Sequence, residues 1–189
     1  MKTVYKIFFP VVFILPMVWA FGFKNETKTN AEIKTQEIKW ISFEEAMVLS
    51  GRQQKKIIID VYTDWCGWCK RMDVATFQNP VIAKYVAENY YPVRFNAEQK
   101  TDILVGDRTY KFIPQGARGY HELASELMNG KMSYPTIVFL DDNFNLIQSL
   151  PGYRGPEEME PIVKFFGSNA YKSQAWEDYA KSFKAEIGQ

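Results

Sequence analysis

Two cysteines and one histidine are all that the 189 residues offer of the side chains that form disulfides or the usual structural zinc sites. That scarcity excludes a disulfide-built scaffold. A closed structural zinc site takes four ligands, and Cys66, Cys69 and His121 fall short without carboxylate help. A charge excess of one sign is also missing, with 23 Lys and Arg against 22 Asp and Glu. The near-neutral balance gives no electrostatic footing for nucleic acid. No internal repeat is present. The longest apolar run, residues 7–20, is interrupted by Pro10 and Pro16 and is short for a membrane span of roughly 20 residues.

That run nevertheless reads as something. Lys2 and Lys6 precede it and Val18-Trp19-Ala20 closes it, which is the layout of a secretory signal cut after Ala20. An uncleaved anchor is the alternative reading of residues 1–20. No cysteine follows for lipid attachment. The expected location is therefore extracytoplasmic, periplasmic or tethered at the membrane. Residues 21–39 are polar and aperiodic, a lead-in rather than part of the fold. Residues 40–189 are enough for one domain with a sizeable core, and an aromatic content of 16% suits a packed globule.

Within that domain Ser42-Phe-Glu-Glu45 is a capping box opening a helix. Residues 57–62, IIIDVY, are almost continuously apolar and β-branched, as in a strand buried on both faces. The cysteine motif follows and leads into a helix predicted to about Ala75. Asn79-Pro80 caps and starts a second helix to Glu88. Residues 91–96 read as a strand. Residues 136–140 and 146–150 flank Asp141-Asp-Asn143 as a hairpin, and an amphipathic helix covers 156–166. The order is that of a layered α/β domain.

Two segments look like additions. Between about 97 and 133, residues 103–105 and 109–112 flank Gly106-Asp107 as a tight hairpin. A glycine-containing loop and a short helix over 121–129 follow. In the extension, about 167–189, Trp176, Tyr179, Ala180 and Phe183 share one helical face, which reads as core packing or as a partner-binding helix.

The two cysteines stand three apart in Asp64-Trp-Cys-Gly-Trp-Cys-Lys. As a staple they would achieve little, since closing so short a loop removes little chain entropy. As a reversible dithiol they are well placed. A strand delivers Cys66 to a helix start, where free N–H groups favour a thiolate, and Cys69 lies one turn on, on the same side. Gly67 lets a partner's backbone approach, and Trp65 and Trp68 offer apolar contact or simply pack. Two further readings stay open: soft thiolate ligation of Cu(I), and a non-catalytic binding domain.

The run DVYTDWCGWCK, followed downstream by YPTIVFLD, resembles the thioredoxin superfamily. The stretch CKRMDVATFQNPVIAKYV is similar to secreted thioredoxin-like proteins related to the C-terminal domain of the thiol:disulfide interchange reductases. The resemblance spans roughly 40–166, interrupted by 97–133. It implies a thioredoxin-like α/β fold, a central mixed sheet flanked by helices, with an insertion before a cis-proline and an extra C-terminal helix. It implies an exported thiol:disulfide oxidoreductase, reducing or isomerising, without cofactor or metal. Its partners would be protein substrates bearing thiols or disulfides, and a membrane-bound redox partner to supply electrons.

By the same resemblance Cys66 is the exposed attacking cysteine and Cys69 the resolving one. Pro135 is the cis-proline opposite the disulfide, though a trans proline opening an edge strand is the plainer reading. Trp65, Gly67, Trp68, Tyr134 and Gly152 would line the substrate site, Gly152 beginning its last loop. Trp68 replaces the proline common in thioredoxins. Asp60 matches the buried acid beneath the motif, which could take a proton from the resolving thiol. Arg94 falls where a lysine often partners that acid. Arginine holds its charge more firmly, so Asp60 is either a proton acceptor or an acid kept ionised by its pair.

Overall fold

In the computed structural model the described residues are 37–188. The proposed export segment, residues 1–20, and all but the end of the polar lead-in lie outside them. Among the described residues no helix is long and apolar enough to cross a membrane.

The chain runs α1 (Phe43–Ser50), β1 (Lys56–Tyr62), α2 (Gly67–Met72), a π-helical turn (Asp73–Phe77), α3 (Pro80–Asn89) and β2 (Tyr90–Asn96). Two small hairpins come next, β3 (Ile103–Val105) with β4 (Arg108–Tyr110), then β5 (Phe112–Gln115) with β6 (Arg118–His121). After them follow α4 (Glu122–Leu127), β7 (Thr136–Leu140), β8 (Leu146–Pro151), α5 (Pro156–Gly167), a 3₁₀ turn (Ala170–Lys172) and α6 (Trp176–Ser182). The central sheet has the order β2-β1-β7-β8, with β1 and β2 parallel and the other pairs antiparallel.

β1 sits inside that sheet, which explains its unbroken apolar sequence: residues 57–61 are all buried. Side chains alternate across a strand, so Ile57, Ile59 and Val61 join one core and Ile58 the other. Asp60 points the same way as Ile58, towards the layer that holds Met72, Phe77 and the apolar faces of α3 and α5.

The opposite core is closed by α1 and by the segment between β2 and β7. Ile103, Tyr110, Leu123, Ala124, Leu127 and Met128 are buried against β1 and β2. The added segment is thus structural as well as peripheral. Each large apolar side chain buried there contributes about 1.5–3 kcal/mol. Its start is tied to the beginning of α4, because Ala97 donates its N–H to Tyr62 and accepts the N–H of His121 at 2.7 Å.

Two details depart from the sequence reading. The helix after the cysteines changes to π geometry at Asp73 instead of continuing as α-helix to Ala75. Such bulges concentrate at functional sites. The stretch read as a glycine-containing loop is a second hairpin, with Gly116 at its turn (φ 58°). At Gly119 an added Cβ would overlap the Phe112 ring and the Ile113 carbonyl, so only glycine lets these strands close. The C-terminal stripe meets its own domain, in line with the packing reading: Trp176 and Tyr179 pack on Phe165 with centroids at 5.4 and 4.9 Å.

Candidate active site

Cys66 is the N-cap of α2. Its N–H donates to Thr63 at 3.1 Å, and its sulfur accepts the N–H of Cys69 at 3.1 Å. Cys66 and Cys69 are joined as a disulfide. The N–H aimed at Cys66 Sγ favours a negative sulfur there once the bond is opened. In the oxidised state Cys66 is only 4% exposed, and Cys69 2%. The expectation of an exposed attacking cysteine is thus not met in this state, because its sulfur turns inward to Cys69.

The two tryptophans of the motif do the opposite. Trp65 is 51% and Trp68 57% exposed. Neither stands alone. Trp65 meets Tyr134 edge-on at 5.9 Å, gives its Nε1–H to Glu98 at 3.0 Å, and carries the Arg118 guanidinium 4.3 Å above its ring. Trp68 lies against Tyr153 at 5.4 Å, with Arg71 at 5.4 Å from its centroid. The motif is therefore flanked by two assemblies of tryptophan, tyrosine and arginine. Gly67 lies between them, with open space where a Cβ would stand. A small hollow of about 210 Å³ is lined by Gly67, Trp68 and Arg71.

The tyrosines come from loops that are themselves tied together. The Tyr134–Pro135 peptide is cis. Gly152, in the left-handed region at φ 92°, donates its N–H to the Pro135 carbonyl at 2.8 Å. Tyr134, Pro135, Gly152 and Tyr153 form one rim at the open end of the β7–β8 pair, where Thr136 faces Pro151. Trp65, Gly67, Trp68, Tyr134 and Gly152, singled out in the sequence, come together here.

Asp60 lies beneath, 1% exposed. Arg94 Nε stands 3.6 Å from Asp60 Oδ2, while its Nη1 bonds Asp73 Oδ2 at 3.1 Å. Neither Asp60 oxygen has a hydrogen-bond partner among the described residues. Burial pushes the Asp60 carboxyl up to about 7, against the pull of Arg94 and with added repulsion from Asp73. Burial therefore outweighs the pull of the arginine on the carboxylate. The guanidinium is stacked over Tyr62 at 5.0 Å and Trp40 at 5.8 Å.

His121 does not join the cysteines. Its Nδ1 accepts the N–H of Leu123 at 3.3 Å, which leaves Nε2 to donate to the Thr101 carbonyl at 3.1 Å. Burial lowers its pKa, and it caps α4 as a neutral ring. Among the described residues no group of three His, Cys, Asp or Glu is arranged to hold a metal ion.

Sequence reasoning missed Arg71, Asp73, Glu98, Arg118 and Tyr153. Arg71 follows Trp68 by three residues, a helical spacing that would have placed it on the same face. Tyr153 adjoins Gly152. Nothing local marks Glu98 or Arg118, which reach Trp65 from other elements.

The comparisons with known proteins agree with this geometry. A family model for a thioredoxin-like domain matches residues 43–167. The thiol:disulfide interchange protein DsbD of Escherichia coli strain K12 is 31% identical over 70 residues, 37% of this chain and 12% of DsbD. The chain thus matches only a small part of that relative's length. Among solved structures, a DsbH oxidoreductase aligns over 78% of this chain and 94% of its own, with TM-score 0.53 and 20% identity. A thioredoxin from Thermus thermophilus covers 79% and 99%, with TM-score 0.52 and 16% identity. At those identities the structures speak for the fold. By the family match the chain belongs to the thioredoxin-like domain family, as a disulfide-oxidoreductase-like member whose cysteine pair is Cys66–Cys69.

Proposed function

We propose that the protein exchanges disulfides with protein substrates outside the cytoplasm, as a reductant or isomerase. The observation that carries this is the Cys66–Cys69 disulfide at the start of α2, flanked by Trp65 and Trp68 and bordered by the Tyr134–Pro135 and Gly152 loops. The similarity to DsbD, a thiol:disulfide interchange protein, supports the reading.

In the reduced protein the Cys66 thiolate attacks one sulfur of a substrate disulfide. A mixed disulfide forms, and the other substrate sulfur leaves as a thiolate that takes a proton from water. Cys69 then loses its proton to Asp60 and attacks Cys66 Sγ. The second substrate thiolate departs, and the internal disulfide closes. Two electrons have passed to the substrate. An outside dithiol must return them, since the chain has no second cysteine pair; a membrane-bound partner fits that need. Pro135 borders the substrate's backbone beside the disulfide, while Trp65, Trp68 and Tyr134 give it apolar contact and Gly67 and Gly152 leave it room. Residues 1–20 serve as the export signal.

The test is reduction of insulin by the purified protein with excess dithiol, with and without added Cu(I). Metal-independent turnover that disappears in Cys66→Ser is the expected result. Absence of turnover, with tight Cu(I) binding through both thiolates, would replace this reading with metal handling.

A further inference from the structure

Arg94 serves two carboxylates unequally. Its Nη1 makes a hydrogen bond to Asp73, whereas its Nε faces Asp60 at 3.6 Å without one. A guanidinium left to itself beside a buried carboxylate forms short, often paired, N–H···O contacts. Here that pairing is not made. Asp73 is the first residue of the π-helical turn, so the change of helix geometry coincides with the carboxylate that takes Nη1. The rings of Tyr62 and Trp40 steady the guanidinium. Asp73 and Arg94 also line a pocket of about 380 Å³ with Glu37, Trp40 and Gln78.

We infer that Asp73 is a positioning residue, holding the Arg94 guanidinium away from Asp60 so that the buried carboxyl can accept and release a proton in each exchange cycle. The inference rests on the reading of Asp60 as the proton acceptor for Cys69. In that step the Cys69 S–H bond breaks, the proton goes to an Asp60 oxygen, and the sulfur's electron pair forms the bond to Cys66. Asp60 must then give the proton to solvent before the next cycle. A carboxylate gripped by arginine is too weak a base for this at neutral pH. With Nη1 engaged by Asp73, the grip is not made.

The groups facing Asp60 are few. They are Arg94 on β2, Asp73 on the π-helical turn and Tyr62 on its own strand. Its register partner on β7 is the uncharged Ile137. The elevated Asp60 pKa, about 7, agrees with an arginine whose pull is weaker than the cost of burial.

Asp73 could act through Arg94 or by its own charge, and a double-variant comparison separates the two. The measurement is a carboxyl ¹³C NMR titration of Asp60 in the oxidised full chain. The variants are Asp73→Asn, Arg94→Gln and the pair together, with Asp73→Ser replacing Asp73→Asn if the latter is unstable. Positioning through Arg94 predicts that Asp73→Asn moves the Asp60 midpoint down by about one pH unit or more. The same change in the Arg94→Gln background should move it far less, and Asp73→Glu should restore it. An unmoved midpoint would overturn the inference. So would an equal downward shift with and without Arg94, which is direct repulsion alone. The titration reads the Asp60 proton whether or not the protein reduces insulin, so this inference and the proposed function can fail separately.

Discussion

The Arg118 guanidinium lies over the indole of Trp65, 4.3 Å from the ring centroid, and joins the tip of the second hairpin to the residue before Cys66. A cation on a tryptophan face is worth about 0.5–1 kcal/mol at exposed sites. Here the cation also covers one face of an exposed ring next to Cys66 in the chain. Neither Arg118 nor Arg71 makes an ion pair with a carboxylate among the described residues. Tryptophan, tyrosine and arginine are the residues that carry most binding energy at protein interfaces.

Arg118→Ala should therefore lower kcat/KM for a folded protein substrate roughly tenfold, a loss of about 1.4 kcal/mol. Its rate with a small disulfide such as oxidised glutathione should be unchanged. Removing residues 101–131 outright is a poorer test, because it uncovers the core that Ile103, Leu123 and Leu127 close. An equal loss on both substrates would mean that the hairpin plays no part in selection.

The two cysteines should not be interchangeable. With the Cys69 N–H aimed at it, Cys66 should be the sulfur that more readily carries negative charge once the disulfide is opened. Cys69→Ser should trap mixed disulfides through Cys66 in cells, visible on non-reducing gels and by mass spectrometry. Cys66→Ser should trap none. Adducts from Cys66→Ser, or from neither variant, would show that the pair has no fixed direction.

Asp60 carries a cost in stability whose sign can be worked out. Its folded carboxyl titrates near 7, against an ordinary 3.8. Between those values the folded protein holds a proton that the unfolded chain has released. Stability therefore falls as pH rises from about 4 to about 7 and is level above that. Asp60→Asn should raise stability at pH 8 by as much as about 4 kcal/mol, flatten that slope in urea titrations, and slow closure of the mixed disulfide. A destabilised variant at pH 8 would mean that Asp60 is ionised and paired.

Glu160 has the opposite sign. Burial pushes its carboxyl up, but Lys164 at 2.7 Å and the N–H groups of Glu186 and Ile187 at 2.8 and 3.1 Å bring it below the ordinary range. The stability it gives is present above the ordinary glutamate value and is lost as pH falls below it. Glu160→Gln should release the C-terminal residues at a cost of about 1–3 kcal/mol. Hydrogen exchange at the Glu186 and Ile187 amides would read this; unchanged protection would show that the aromatic packing on Phe165 suffices.

Much of the fold was readable because it rests on local rules. The run at 57–62 is apolar because β1 has neighbours on both sides, and the capped starts at Ser42 and Asn79 are side-chain chemistry. The hairpin of β5 and β6 was not readable. It lacks alternation, and Pro114 in its first strand argues against a strand except at an edge, which both strands of a two-stranded hairpin are. The site divided in the same way. The motif, Pro135 and Gly152 carry local signatures, whereas the Asp60–Arg94–Asp73 arrangement depends on a π-helical turn that no spacing announces.

The hydrogen bond between the Ala97 carbonyl and the His121 N–H brings the two bases of a long excursion side by side at the end of β2. A segment that departs and returns at one point behaves as a cassette. Its tip can be exchanged for another sequence without altering sheet register or cysteine placement, provided the core-facing residues are kept. The hairpin tip bearing Arg118 and the helix start bearing the cysteines thus belong to separate stretches of one chain, open to change one at a time.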